Sequence, residues 1–165
     1  MKTKENLMAA FAGESQANRK YLAFARKAEK DGFKNVGRIF QAIAEAETIH
    51  ALKHFEIAGK IGGTLENLQA AAEGEHYEFS VMYPEFIITA DKEGDKKALQ
   101  TFEYANAAEK VHGGIFSDLK TTVAKGSDAE ERDVHLCPVC GWVGFDPLPD
   151  KCPICNTDKK AFKQF

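Results

Sequence analysis

Two short steps, Glu47-Thr48-Ile49-His50 and Glu109-Lys110-Val111-His112, carry the chemistry that the rest of the chain must position. On a helix, Glu-x-x-His sets a carboxylate and an imidazole on one face, one turn apart. Both steps lie midway along segments whose apolar residues recur at helical spacing. Glu47 shares its stripe with Phe40, Ile43, Ala44 and Ala51, and Glu109 with Phe102, Ala105 and Phe116. An ionised carboxylate on such a stripe is costly unless something pairs with it. Three more acids fall on inward lines: Glu14 in an N-terminal segment, and Glu75 with Glu78 in the third. A di-iron or di-manganese bundle site needs one Glu from each of two helices and a Glu-x-x-His from each of the other two. The expected ligands are therefore Glu14, Glu47, His50, Glu75, Glu78, Glu109 and His112. Hard carboxylate oxygens with one imidazole per metal suit iron or manganese, and two divalent ions nearly balance five carboxylates. Tyr21 and Tyr83 sit seven and eight residues beyond Glu14 and Glu75. As inward tyrosines they need partners, and ligand carboxylates are within reach. His54 reads as an outlying residue, His76 should point away from Glu75, and His135 could cap the tail.

A second constellation lies near the C-terminus. Cys137-Pro138-Val139-Cys140 and Cys152-Pro153-Ile154-Cys155 are two knuckles separated by eleven residues. Together they present four thiolates tetrahedrally, which means Zn(II) or a single Fe. Gly141-Trp142, an aromatic surround (Phe145, Phe162) and a redox-capable site elsewhere in the chain favour iron.

Four amphipathic segments must carry the first constellation: about Thr3–Lys30, Phe33–Lys60, Thr64–Lys92 and Asp95–Lys125. Glycine-bearing turns at Asp31-Gly32, Gly62-Gly63 and Gly94 separate them. The expected fold is mainly α, a four-helix bundle with a crossover near residues 61–67. Pro84 should kink the third segment or sit at a local irregularity in it. The chain also repeats. Glu47 and Glu109, His50 and His112, and Tyr21 and Tyr83 are each 62 apart, whereas Gly13-Glu14 and Gly74-Glu75 are 61 apart. One extra residue therefore lies between Glu75 and Tyr83, in the stretch holding the unmatched Glu78. A π-bulge absorbs such an insertion most cheaply, so an irregular turn is expected near Glu78.

The domains expected are 1–126 for the bundle, 127–134 for an acidic linker and 135–165 for a metal-stapled tail too short to fold alone. With a net charge of −3 and a pI near 6.0, no basic face invites nucleic acid or an anionic membrane. No export signal or transmembrane run is evident, and the paired cysteines read as metal ligands, so a cytoplasmic, metal-dependent protein is expected.

On Gly13-Glu14-Ser15, the two Glu-x-x-His steps, Gly74-Glu75-His76-Tyr77-Glu78 with Met82-Tyr83-Pro84, and the two cysteine knuckles, the whole chain resembles the rubrerythrins. The resemblance implies a ferritin-like bundle with a non-haem di-iron centre and a small C-terminal rubredoxin-like Fe(SCys)4 β domain. It also implies reduction of hydrogen peroxide to water in oxidative-stress defence, with an external electron donor (rubredoxin or a reductase, ultimately a nicotinamide cofactor). In that family, the residues matching His50 and Glu78 exchange as ligands to one iron. The alternative within the same class is a ferroxidase or oxygen-reducing di-iron protein. Helix rise adds an expectation about assembly: a tail docked at the far end of the fourth helix lies about 20 Å from His112. A head-to-tail homodimer, with helix pairs kept or exchanged, would shorten that path.

Overall fold

The computed structural model describes residues 2–165. Helices occupy Lys2–Lys30 (α1), Lys34–Ile57 (α2), Thr64–Tyr77 (α3), Tyr83–Glu93 (α4) and Lys96–Ala124 (α5), followed by strands Val134–Leu136 (β1), Val143–Phe145 (β2) and Lys163–Gln164 (β3). All four expected segments are helical. Two compact units divide the chain between Gly62 and Gly63.

The first unit is the antiparallel hairpin of α1 and α2. Its seam is made of small residues: Ala25, Ala28, Gly37, Ala44 and Ala51 are buried. At Gly37 the backbones come so close that a Cβ would stand 2.8 Å from Glu29 Cγ and 3.2 Å from the Ala25 carbonyl oxygen. Rings pack along the same seam, Phe11 on Phe55 at 4.6 Å and Phe24 on Phe40 at 5.7 Å. A seam built on alanine leaves larger side chains uncovered, among them Ile39 (60% exposed), Ile49 (62%) and Leu52 (58%).

In the second unit α3 and α4 run antiparallel to α5, joined by a π-helical turn over Glu78–Met82. This is the irregular turn that the 61-against-62 offset requires. The extra residue is housed in one wide turn, so helical geometry resumes at Tyr83 with Pro84 in its first turn. There the missing N–H costs no hydrogen bond inside a helix. Gly63 is the N-cap of α3, and the Glu66 carboxylate accepts from the Gly63 N–H at 2.8 Å. Gly94, in the left-handed region at φ +71°, ends α4. Asp95 then caps α5, accepting from the N–H groups of Lys97 and Ala98.

The tail is a three-stranded antiparallel sheet ordered β2-β1-β3, with His135 opposite Gly144 and Gln164. Strands of two or three residues carry little stability of their own. The core instead gathers Cys137, Cys140, Trp142 and Cys152, with Phe162 against Trp142 at 5.6 Å. Among the described residues no helix is long and apolar enough to cross a membrane.

Candidate metal centres

Each helical unit carries one triad of ligand-bearing side chains. In the first, Glu14 from α1 meets Glu47 and His50 from α2, with one ligand atom of each inside a 4.8 Å group. His50 Nδ1 is 3.4 Å from Glu47 Oε2. The Glu14 carboxyl is held above the usual carboxylate range, first by the hydrogen bond it shares with Glu47 and then by burial and the like charge. Asn18, one turn beyond Glu14, is buried and fixes the register: its Nδ2 donates to the Ala44 carbonyl at 2.7 Å and to Thr48 Oγ1 at 2.8 Å. Residue type alone does not mark Asn18, because its role rests on the close approach of α1 to α2. Tyr21 stands among Phe24 and Phe40, with ring centroids at 6.4 and 6.1 Å.

The second triad is Glu75 from α3 with Glu109 and His112 from α5. His112 Nδ1 lies 2.7 Å from Glu109 Oε2 and 3.8 Å from Glu75 Oε2. The latter oxygen is buried without a hydrogen-bond partner. Burial, then a hydrogen bond and like charge from Glu109, push the Glu75 carboxyl up to about 7. Burial followed by the Glu109 charge also raises Glu78, which opens the π turn. The Tyr83 phenol is raised too, by burial and by the charges of Glu109, Glu78 and Glu75. Gly113 permits the close approach of α3 to α5 at this point: a Cβ there would meet Phe79 Cε1 at 3.3 Å and Glu75 Cβ at 3.4 Å. His76 turns away as expected, stacking edge-on against Phe79.

His112 also reaches the tail. Its Nε2 is 3.0 Å from the carbonyl oxygen of Gly141, the residue after Cys140. A carbonyl can only accept, so Nε2 carries the proton and Nδ1 is the free lone pair. A lone pair facing carboxylate oxygens requires a positive charge between them, either a second proton or a metal ion. A ligating histidine normally donates its other N–H to a carbonyl or carboxylate in this way. The separation of about 20 Å expected between His112 and the tail is therefore corrected. The expectation assumed a tail docked beyond the end of α5. Instead the linker doubles back, and the cysteine core packs against Tyr104 and Val111 of α5.

Four sulfurs complete the tail site. Cys137 and Cys155 are 3.5 Å apart, Cys140 and Cys152 3.4 Å. A tetrahedron with metal–sulfur bonds of about 2.3 Å has edges of roughly 3.8 Å, so the thiols sit close to what one ion needs. Each knuckle closes through a left-handed residue, Gly141 at φ +83° and Asn156 at φ +61°. Burial pushes the Cys140 thiol up. Burial acts the same way on Cys155, yet the Thr157 hydroxyl at 3.1 Å and its backbone N–H hold that thiol down to about 6. Four thiols packed this closely call for a cation to stabilise the thiolates.

The model of the rubrerythrin domain matches residues 5–120, and that of the rubrerythrin rubredoxin-like domain matches residues 135–163. The chain belongs to the rubrerythrin family. Rubrerythrin-2 of Clostridium acetobutylicum is 37% identical, the match covering 99% of this chain and 96% of that one. Nigerythrin of Nitratidesulfovibrio vulgaris is also 37% identical, over 99% and 86%. Among solved structures, fully reduced, all-ferrous nigerythrin is similar with a TM-score of 0.60 and 35% identity, over 99% of this chain and 86% of that one. The fold class is accordingly that of a ferritin-like helical protein with a rubredoxin-like module. The family's Glu/His di-iron site and its four-cysteine iron site both have their donor sets here. Members of the family are oxidoreductases.

Proposed function

We propose that this protein is a cytoplasmic non-haem di-iron peroxidase that reduces hydrogen peroxide to water. Its electrons would come from an external carrier that draws on NAD(P)H, by way of the iron that Cys137, Cys140, Cys152 and Cys155 would hold. The functional division is then 1–126, linker 127–134 and 135–165. The observation that carries the reading is His112, with one ring nitrogen at the carboxylate triad and the other on the Gly141 carbonyl of the first cysteine knuckle. When bound by these residues, iron would supply the two electrons that reduction of peroxide needs, with two protons completing two waters.

The chain's own residues do the rest. Glu14, Glu47, His50, Glu75, Glu109 and His112 would hold the pair of irons. Glu78, on its π turn, would exchange with His50 as ligand to one iron. Its position in the field of Glu109 and His112 supports that role. Cys137, Cys140, Cys152 and Cys155 would hold the third iron. From Cys140 the route to His112 runs through one peptide unit, Gly141 and one hydrogen bond. The Tyr83 phenol keeps its proton, because burial and three nearby carboxylates disfavour the phenolate. It is therefore a proton donor beside the site, and Tyr21 is the matching phenol in α1. Large apolar side chains left uncovered on the first unit, such as Ile39 and Leu52, support a homodimer. Helix pairs would be kept or exchanged between the copies; with the tail already at His112 of its own chain, the electron path no longer calls for a head-to-tail arrangement.

Mixing the reduced protein separately with peroxide and with dioxygen tests this reading. Faster oxidation by peroxide, followed by reductase-driven turnover, is expected. Faster oxidation by dioxygen would replace it with the ferroxidase alternative.

A further inference from the structure

The tail holds a third cluster that neither iron centre uses. Asp133 ends the linker, His135 lies in β1 and Asp146 follows β2, and each brings one ligand atom into a group spanning no more than 4.8 Å. Strand register is the cause. Val134 pairs with Phe145 and His135 with Gly144, so residues 133 and 146 face each other across the open end of the ladder. His135 is only 9% exposed, and its Nε2 is shut away from solvent without a hydrogen-bond partner. Asp146 Oδ1 stands 3.3 Å from that nitrogen but outside hydrogen-bonding geometry. A buried ring nitrogen left this way is costly, and a cation accepting its lone pair removes the cost.

The surroundings favour positive charge. Asp128, Glu130 and Glu131 precede the cluster in the linker. Two basic side chains of the tail have other partners, although Lys159 also feels the charge of Asp146. Arg132 lies over the Phe145 ring at 4.8 Å and pairs with Glu130, and Lys159 pairs with Asp150 at 2.7 Å. We propose that Asp133, His135 and Asp146 bind a divalent transition-metal ion, which clamps the end of the linker to the β1–β2 ladder. One imidazole with two carboxylates suits Mn2+, Fe2+ or Zn2+ and is a poor set for Ca2+ or Mg2+. Both aspartates are exposed, so water completes the coordination and the ion exchanges with the medium.

Mn2+ is the probe. The full-length protein with its iron sites filled is titrated with Mn2+, and loss of the free-ion EPR signal counts what binds. One additional Mn2+ per chain is expected, displaced by Zn2+. Asp146→Asn and Asp133→Asn should each weaken it about tenfold or more, with the visible spectrum of the cysteine-bound iron reporting that each variant is folded. No uptake by the iron-filled protein overturns the proposal, leaving His135 and Asp146 as a plain ion pair. Uptake that both variants retain undiminished also overturns it, as adventitious surface binding. Neither variant touches an iron ligand, so failure here leaves the peroxidase reading standing.

Discussion

Glu75 makes the metal-free protein sensitive to pH in a direction opposite to that of most folded proteins. Its carboxyl rises from 4.5 to about 7 on folding, chiefly through burial and then through Glu109. A carboxyl raised in this way favours the protonated folded state. The stabilisation is complete below the unfolded value of 4.5 and is lost as pH climbs through about 7. At about 1.4 kcal/mol per tenfold step in proton affinity, the ceiling is about 3 kcal/mol. The side chain is 21% exposed, and water there screens the effect to roughly 1–2 kcal/mol. Glu14 and Glu78 are raised as well and act in the same direction. Urea denaturation of metal-stripped protein, followed by helical circular dichroism, should show stability falling between about pH 5 and pH 8. Glu75→Gln stays neutral throughout, so it should flatten that fall and be the more stable protein at the upper pH. Iron should reverse the sign, because its ligands must be deprotonated to bind. A metal-stripped wild type indifferent to pH, or a Glu75→Gln protein with an undiminished slope, would refute the reasoning.

Cys140→Ser should abolish reductase-driven peroxide turnover and the red colour of ferric tetrathiolate, while pre-reduced protein still consumes peroxide stoichiometrically; stopped-flow absorbance separates the two. Asn18→Ala removes two hydrogen bonds across the α1–α2 seam and should cost about 2 kcal/mol by chemical denaturation. In Gly113→Ala, about 1 kcal/mol of helix propensity opposes the push of a Cβ at 3.3 Å from Phe79 and 3.4 Å from Glu75. Stability should stay within about 1 kcal/mol of wild type, whereas Gly113→Val should lose about 1–3 kcal/mol by overpacking. Glu78→Ala should keep full iron content by metal analysis yet slow turnover roughly ten- to a hundredfold.

Much of the molecule could be read from the chain because local rules and the chemistry agree. Helical spacing placed α1, α2 and α5 almost to their ends, and glycine turns separated them. The unequal offsets around Glu75 and Tyr83 located the π turn, since an insertion inside a repeat must be stored somewhere. The structure brings Glu14, Glu47 and His50 together, and likewise Glu75, Glu109 and His112. Less was visible where the determinant is a backbone atom or a fold-back. Nothing in residue types announces that the Gly141 carbonyl meets His112, because a flexible linker sets no direction. Asn18 and Gly113 were overlooked because each works through close approach between helices, a property of pairs of segments. The Asp133, His135 and Asp146 group arises from strand register, which the short tail strands do not encode in an alternating pattern.

The central claim is that two irons sit among the Glu/His triads and a third among the cysteines, linked by His112. Mössbauer spectroscopy on iron-57-enriched, anaerobically purified protein tests it most directly. The account predicts two irons per chain in a coupled carboxylate-bridged pair and one in a tetrathiolate site, with both signals shifting on peroxide addition and on reduction. A spectrum with only the tetrathiolate iron, or with uncoupled carboxylate-bound ions indifferent to peroxide, would contradict it.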